Sequence, residues 1–381
     1  MYMRKLCLLI SILLLFCNLA FPQGKQLPVN LSLVYPVSIN QSLEDDVNFN
    51  LGIIGSEFNN LKGFGLNTVF SVLDGNVDGV QLNGIYSETR KKLNGIQLTA
   101  GVNSLTEGGH GIIFGGVGNL IFDDFNGIQS ALIGNLCFEN TNGVQIAGLY
   151  NLTAKDINLA QLSLAGNITG KEMKGLQFAI LFNLAGGLNK GLQTSFFNMT
   201  LRQHGVQIGI ANVSEFNKGL QLGIINLVDK KQDGLSLGLF YTGSKTKVQL
   251  LLSGGNFAYG TLGVRFKTNN IYTMFDLGTP ITFSTTEKSV MFTYRVGYSF
   301  DFNFLNLNAD AGFSHLSSES DQTRGKPSKN QFAFSFRLGL EKQILKRLGI
   351  FVNGGVSRVY DSYSKGEFFK KFILEGGIIL L

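Results

Sequence analysis

The chain has 381 residues, with 48 glycines, 32 phenylalanines, 5 prolines, no tryptophan, only 15% charged residues and a net charge of +6. Soluble domains usually carry about a quarter charged residues, and the basic residues here are scattered, with Arg90-Lys91-Lys92 as the densest run. A nucleic-acid surface needs a concentrated basic patch with stacking aromatics, so nucleic acid is excluded as a partner. A Gly-rich, Pro-poor chain without a G-X-Y period is neither collagen nor a disordered tract.

The N-terminus places Arg4 and Lys5 before the apolar run Leu6–Cys17, with Ala20 as a small residue ahead of a cut. That is the layout of an export signal, and the run is too short to cross a bilayer as a helix. The expected organisation is a signal peptide at 1–20, tandem repeats at 21–243 and a β-strand region at 244–381. Removing the signal removes Cys7 and Cys17, so Cys137 is left without a disulfide partner and the sheet itself must hold the fold.

From Gly63 a repeat runs in steps of sixteen through Gly79, Gly95, Gly111, Gly127, Gly143, Leu159, Gly175 and Gly191, then shortens to Gly205, Gly219 and Gly234. A glutamine column recurs at Gln81, Gln97, Gln129, Gln145, Gln161, Gln177, Gln193, Gln207 and Gln221. An asparagine column recurs at Asn103, Asn119, Asn135, Asn151, Asn167 and Asn183. Within a copy the period is two: Leu176, Phe178, Ile180, Phe182 and Leu184 share one face, and Gly175, Gln177, Ala179, Leu181 and Asn183 the other. Such alternation specifies a strand, and a glycine at the head of nearly every copy argues against a helix.

Two arrangements fit. In an antiparallel outer-membrane β-barrel that includes the repeats, the Leu/Ile/Phe face meets lipid and the Gln and Asn columns face the lumen. In a β-solenoid followed by an eight-strand C-terminal barrel, each copy is a coil, the apolar face points into the core and the amides stack as ladders. Shortened copies and the exchange of Gly148/Tyr150 for Leu164/Gly166 between neighbours favour the barrel.

After residue 245 longer alternating segments take over. Phe292, Tyr294, Val296, Tyr298, Phe300, Phe302 and Phe304 oppose Thr293, Arg295, Gly297, Ser299, Asp301 and Asn303. Phe332, Phe334, Phe336, Leu338 and Leu340 oppose Ala333, Ser335, Arg337 and Gly339. A tight turn at Lys267–Asn270 and a long polar loop at Ser317–Asn330 fit the short and long connections of a membrane barrel. Arg295, Asp301, Asp310, Arg337 and Glu375 share the polar parity and are candidates for an interior ion-pair set. The count is about 14 strands before residue 245 and about 8 after it, within the range of such barrels.

The copies Gly143–Asn151, Gly175–Asn183, Gly205–Asn212 and Gly219–Asn226 resemble the surface-repeat proteins of Gram-negative bacteria, built from G-[LVI]-Q-[LIF]-[GA]-x-x-N units. The resemblance covers roughly residues 47–242 and implies an outer-membrane or surface location with little implied mechanism.

No catalytic, cofactor-binding or metal-binding set emerges. His110, His204 and His315 lack metal spacing, no phosphate-cradling loop occurs, and Cys137 between Leu136 and Phe138 reads as a packing residue. Asp74–Gly75, Asp78–Gly79 and Asp233–Gly234 read as turns. The expectation is a non-enzymatic outer-membrane surface barrel with a channel or scaffold role, in contact with lipid and an unidentified envelope protein. The alternative is a surface-displayed solenoid for adhesion or interaction.

Overall fold

The computed structural model describes residues 24–243, 246–281, 289–318, 329–361 and 368–380. The expected export signal and residues 319–328 of the expected long loop lie outside the described residues. The described chain is all-β, and no helix in it is long and apolar enough to cross a membrane. It divides into two compact units, the first ending at Leu201 and the second starting at Arg202.

In the first unit each sixteen-residue copy is a coil of two strands. Leu93–Thr99 and Val102–Leu105 form one coil, and Gly109–Gly115 and Gly118–Ile121 form the next. Neighbouring copies pair in parallel and in step, with Leu93 opposite Gly109, Gly109 opposite Phe125, and Thr141 opposite Ile157. Asn103, Asn119, Asn135, Asn151, Asn167 and Asn183 fall opposite one another in turn. The repeats are therefore a β-solenoid. The single antiparallel barrel that includes them, the arrangement favoured on sequence, is not formed, because the chain turns twice per copy in the same sense instead of reversing once. The strand count before residue 245 rises for the same reason.

The coil also corrects the other arrangement. Its interior takes the glutamine and asparagine face, and the Leu/Ile/Phe face points outward: Gln177 and Asn183 are fully buried while Phe178, Ile180 and Leu181 are exposed. Alternation survives the first corner because Leu181, inward by count, is swung out at the bend. The large apolar side chains of the interior gather towards the second corner, where Leu61, Val77, Leu93 and Phe125 pack with Phe58, Leu73, Leu105, Ile121 and Cys137.

Glycine heads the copies because successive backbones meet there. At Gly127, φ is +138°, and an added Cβ would lie 1.9 Å from the Gly111 carbonyl oxygen. Asp78–Gly79, expected as a turn, sits inside the strand Val77–Asn83 for this reason, with Gly79 at φ +149°.

The second unit begins with shorter copies of the same coil. Val206–Asn217 and Leu220–Gln232 pair in parallel, with Gln207 opposite Gln221 and Asn212 opposite Asn226. Leu235–Leu237 and Phe240–Gly243 add the next turn. A closed antiparallel barrel of eight strands follows: Thr246–Gly255, Ala258–Thr268, Ile271–Pro280, Ser289–Asp301, Asn306–Ser318, Lys329–Leu345, Leu348–Asp361 and Phe368–Leu380. The last strand closes on the first, with Leu251 opposite Ile379.

Barrel parity is as the sequence predicts. Phe292, Tyr298, Phe300, Phe334 and Phe336 face outward, and Thr293, Arg295, Ser299 and Arg337 are buried inside. The strand Ser289–Asp301 ends in a turn in which the Phe302 N–H donates to the Leu305 carbonyl at 3.0 Å, so Phe302 and Phe304 leave the strand face they were expected to share. The tight turn joins Thr268 to Ile271, with Asn269 at φ 51°, a conformation asparagine tolerates.

Candidate functional site: amide ladders and a filled barrel

All nine glutamines of the predicted column are fully buried. From Gln129 onward in the first unit they form a ladder in which each amide donates to the one before it. Gln145 Nε2 reaches Gln129 Oε1 at 2.9 Å, and Gln161, Gln177 and Gln193 each reach the preceding oxygen at 2.7 Å. Gln221 donates to Gln207 at 2.8 Å in the second unit. Gln81 and Gln97 instead donate to Ser71 and Ser87, and Ile113 stands in the column between Gln97 and Gln129.

The asparagine ladder runs the other way, each amide donating forward. Asn135 Nδ2 reaches Asn151 Oδ1 at 2.8 Å, and Asn151 to Asn167 and Asn167 to Asn183 are both 2.9 Å. The second N–H of each amide clips a backbone carbonyl of the following coil, as Asn151 does at Leu162 O, 2.8 Å away. Both donors are thus used, which a buried amide requires.

Sequence reasoning missed an earlier ladder, Asn30 to Asn50 to Asn67 to Asn83, at 2.9, 3.0 and 2.9 Å. It occupies the opposite strand of the coil. Serines Ser56, Ser71 and Ser87 fill the place where later copies have asparagine, and Gly115, Ala131 and Ala147 fill the reverse position. Each coil has room for one asparagine across its width, and the sixteen-residue step from Asn67 to Asn83 was the available signal.

Inside the barrel the predicted ion-pair set largely comes together. Arg337 grips Asp310 with Nε at 3.0 Å and Nη2 at 2.9 Å, and its Nη1 contacts Glu375. Arg295 Nη1 reaches Asp310 at 3.3 Å. Asp301 is not part of this cluster: it lies at the barrel mouth, paired with Lys267 at 2.9 Å. The sequence reading missed Asp276, beside Arg295 at 3.4 Å, Tyr272, whose hydroxyl donates to Asp310 at 2.9 Å, and the Arg265–Glu341 pair at 2.8 Å. Their strands, Ala258–Thr268 and Ile271–Pro280, show the same alternation.

The ionic layer is covered by an apolar one of Phe257, Ala258, Met291, Leu316, Ala333, Val359 and Ile373. In the strands that carry both, the apolar member is nearer the end joined by residues 282–288, 319–328 and 362–367. A void of about 10 Å³ beside Asp276, Arg295 and Arg337 is at the threshold for a single water. The interior is filled by side chains, as an eight-strand barrel allows.

Among the described residues, no group of His, Cys, Asp or Glu could hold a metal ion. His315 stacks on Phe332 with ring centroids 5.0 Å apart. Cys137 is buried, and burial pushes its thiol above the usual range.

The geometry defines an all-β protein in which parallel, amide-cored coils precede a closed, filled, eight-stranded antiparallel barrel. No protein-family model matches the chain, and no curated protein matches it. Solved structures similar to it include the N-terminal β-barrel domain of OprF from Pseudomonas aeruginosa, at 14% identity over 35% of this chain and 95% of that chain, with a TM-score of 0.27. Neisserial surface protein A is similar at 10% identity over 35% of this chain and 93% of that chain, with a TM-score of 0.23.

Proposed function

We propose that the protein is a non-enzymatic outer-membrane anchor, of the surface-repeat kind, whose barrel holds the amide-cored coils on the periplasmic side. The observation that carries this reading is the inverted polarity of the barrel. Aromatic and aliphatic side chains form its outer wall, and buried, paired charges form its interior. Its strands of 10 to 17 residues meet or exceed the roughly 9–11 needed to cross a bilayer at a tilt. The filled interior supports an anchor or scaffold rather than a channel.

Sidedness follows from the connections. The barrel end that receives the coils at Thr246 is the end that carries the turns Thr268–Ile271 and Leu345–Leu348. In barrels of this kind short turns face the periplasm and longer loops face outward. The test is an epitope inserted after residue 323, between two barrel strands, compared with one inserted after Glu107 at a coil corner. On intact cells the first should be detected and the second only after the envelope is opened. Detection of the Glu107 epitope on intact cells would reverse the orientation, in favour of surface display.

A further inference from the structure

The outer wall of the barrel is apolar between two charged limits. In the strand Leu348–Asp361 the outward side chains Ile350, Val352 and Val356 are exposed; they follow the exposed turn residues Lys346 and Arg347 and lead to Arg358. Leu348 and Arg358 are about ten residues apart, roughly 33 Å at ~3.3 Å per residue, or roughly 23–27 Å of height at a tilt of ~35–45°. That matches the apolar band of about 25 Å on membrane barrels. Arg358 therefore stands at the rim of the band, near the end joined by residues 362–367. Among the described residues, the outward strand positions carry charge at Arg358 near this end and at Lys342 near the turns. Lys370 stands opposite Arg358 in the register.

A hollow of about 680 Å³ opens in the wall beside Arg358, within the ~300–1,000 Å³ of ligand sites. Its origin is one small residue in a row of large ones. Ala311 stands opposite Val296 on one side and Phe336 on the other, and Phe336 stands opposite Val356. The next outward row towards the loops runs Tyr294, Phe313, Phe334 and Arg358, with the Phe313 and Phe334 ring centroids 5.0 Å apart. The hollow is thus floored by Ala311, walled by aromatic and aliphatic side chains, and lined on its loop side by a guanidinium. The N–H fork of a guanidinium fits a phosphate, and its several donors also serve the interaction that Arg358 makes within the chain.

We propose that this hollow binds a phosphate-bearing anionic lipid, with an acyl chain against Ala311, Phe334 and Phe336 and the phosphate on Arg358. This rests on the membrane reading of the barrel. The order of chemistry along the wall is that of such a lipid, apolar through the band and complementary to an anion at its edge. Charge complementarity separates this occupant from the alternatives. A second copy seated on the same face by a two-fold contact would bring Arg358 to the height of its own counterpart, and like charges facing each other cost affinity. A neutral lipid would fill the hollow without using the guanidinium.

The test uses the full chain in vesicles of phosphatidylcholine with brominated acyl chains, which quench tryptophan. The chain has no tryptophan of its own. Phe336→Trp and, separately, Val296→Trp report the hollow, and Leu262→Trp, outward on the strand Ala258–Thr268, reports the wall elsewhere. Phosphatidic acid or diacylglycerol with unbrominated chains is then mixed in. The expected result is that phosphatidic acid relieves quenching at 336 and 296 at a roughly tenfold lower mole fraction than at 262, the size of a hydrogen bond to a charged group. Diacylglycerol should show no such preference. Arg358→Gln should abolish the preference, and Lys342→Gln should leave it intact. Equal relief at all three positions, diacylglycerol matching phosphatidic acid, or a preference that survives Arg358→Gln overturns the proposal and leaves the barrel in the membrane. Absence of quenching at all three overturns the membrane reading, and the proposal with it.

Discussion

Asn151 Nδ2 donates to Asn167 Oδ1 at 2.9 Å and to the Leu162 carbonyl at 2.8 Å, and its own Oδ1 accepts from Asn135 at 2.8 Å. One side chain thereby joins three successive coils. Asn151→Ala leaves the Asn135 amide N–H without its acceptor, and Asn167 Oδ1 and the Leu162 carbonyl without their side-chain donor. Stranded buried polar groups cost about 1–3 kcal/mol each, so loss on this scale is expected in the denaturant midpoint. Asn142→Ala, at an exposed position one coil face away, should change it little.

The glycine column makes a paired prediction. Gly127→Ala places a methyl 1.9 Å from the Gly111 carbonyl oxygen at φ +138° and should destabilise the coils. Leu159 stands in the same column at φ 117°, a strained region for a branched side chain. Leu159→Gly should therefore raise the unfolding midpoint, by about 1 kcal/mol or more if the strain is of the usual size. A lowered midpoint for Leu159→Gly would show that its packing outweighs the strain.

Arg337 is the centre of the barrel's charge set. Arg337→Ala leaves Asp310 and Glu375 buried with less countercharge, and breaking a buried pair in this way costs about 3–5 kcal/mol. The barrel of this variant should unfold in detergent at a lower temperature than the parent. Lys267→Ala, which removes a pair at the mouth where Asp301 is half exposed, should have a smaller effect.

Cys137 lies in the coil core among Phe125, Leu105 and Ile121, and burial raises its pKa. Alkylation requires the thiolate. At pH 8 the folded protein should resist maleimide for hours and react within minutes in denaturant. Rapid labelling of folded protein would show that the coil opens.

The parts legible in the sequence are those set by period alone. Alternation at Phe292 to Phe300 and at Phe332 to Leu340 fixes which barrel residues face inward, and the polar parity picks out Arg295, Asp310, Arg337 and Glu375, together with Asp301, which pairs with Lys267 instead. The sixteen-residue step fixed the Gln and Asn columns as ladders or lumen. Period does not say which face is inside, because an amide face can line a lumen or a coil interior equally well. Nor does it reveal a corner that preserves parity, as at Leu181. The parallel pairing of copies comes from the backbone turning twice per repeat, and bends such as Leu132–Ile133 and Leu164–Ala165 carry no distinctive turn chemistry.

Anchoring of the chain in the outer membrane by its closed barrel is open to direct measurement. The most direct measurement is urea or carbonate extraction of isolated outer membranes, followed by gel electrophoresis in SDS with and without boiling. Retention in the membrane together with a heat-dependent mobility shift is the predicted result. Release into the wash with no shift would contradict the account.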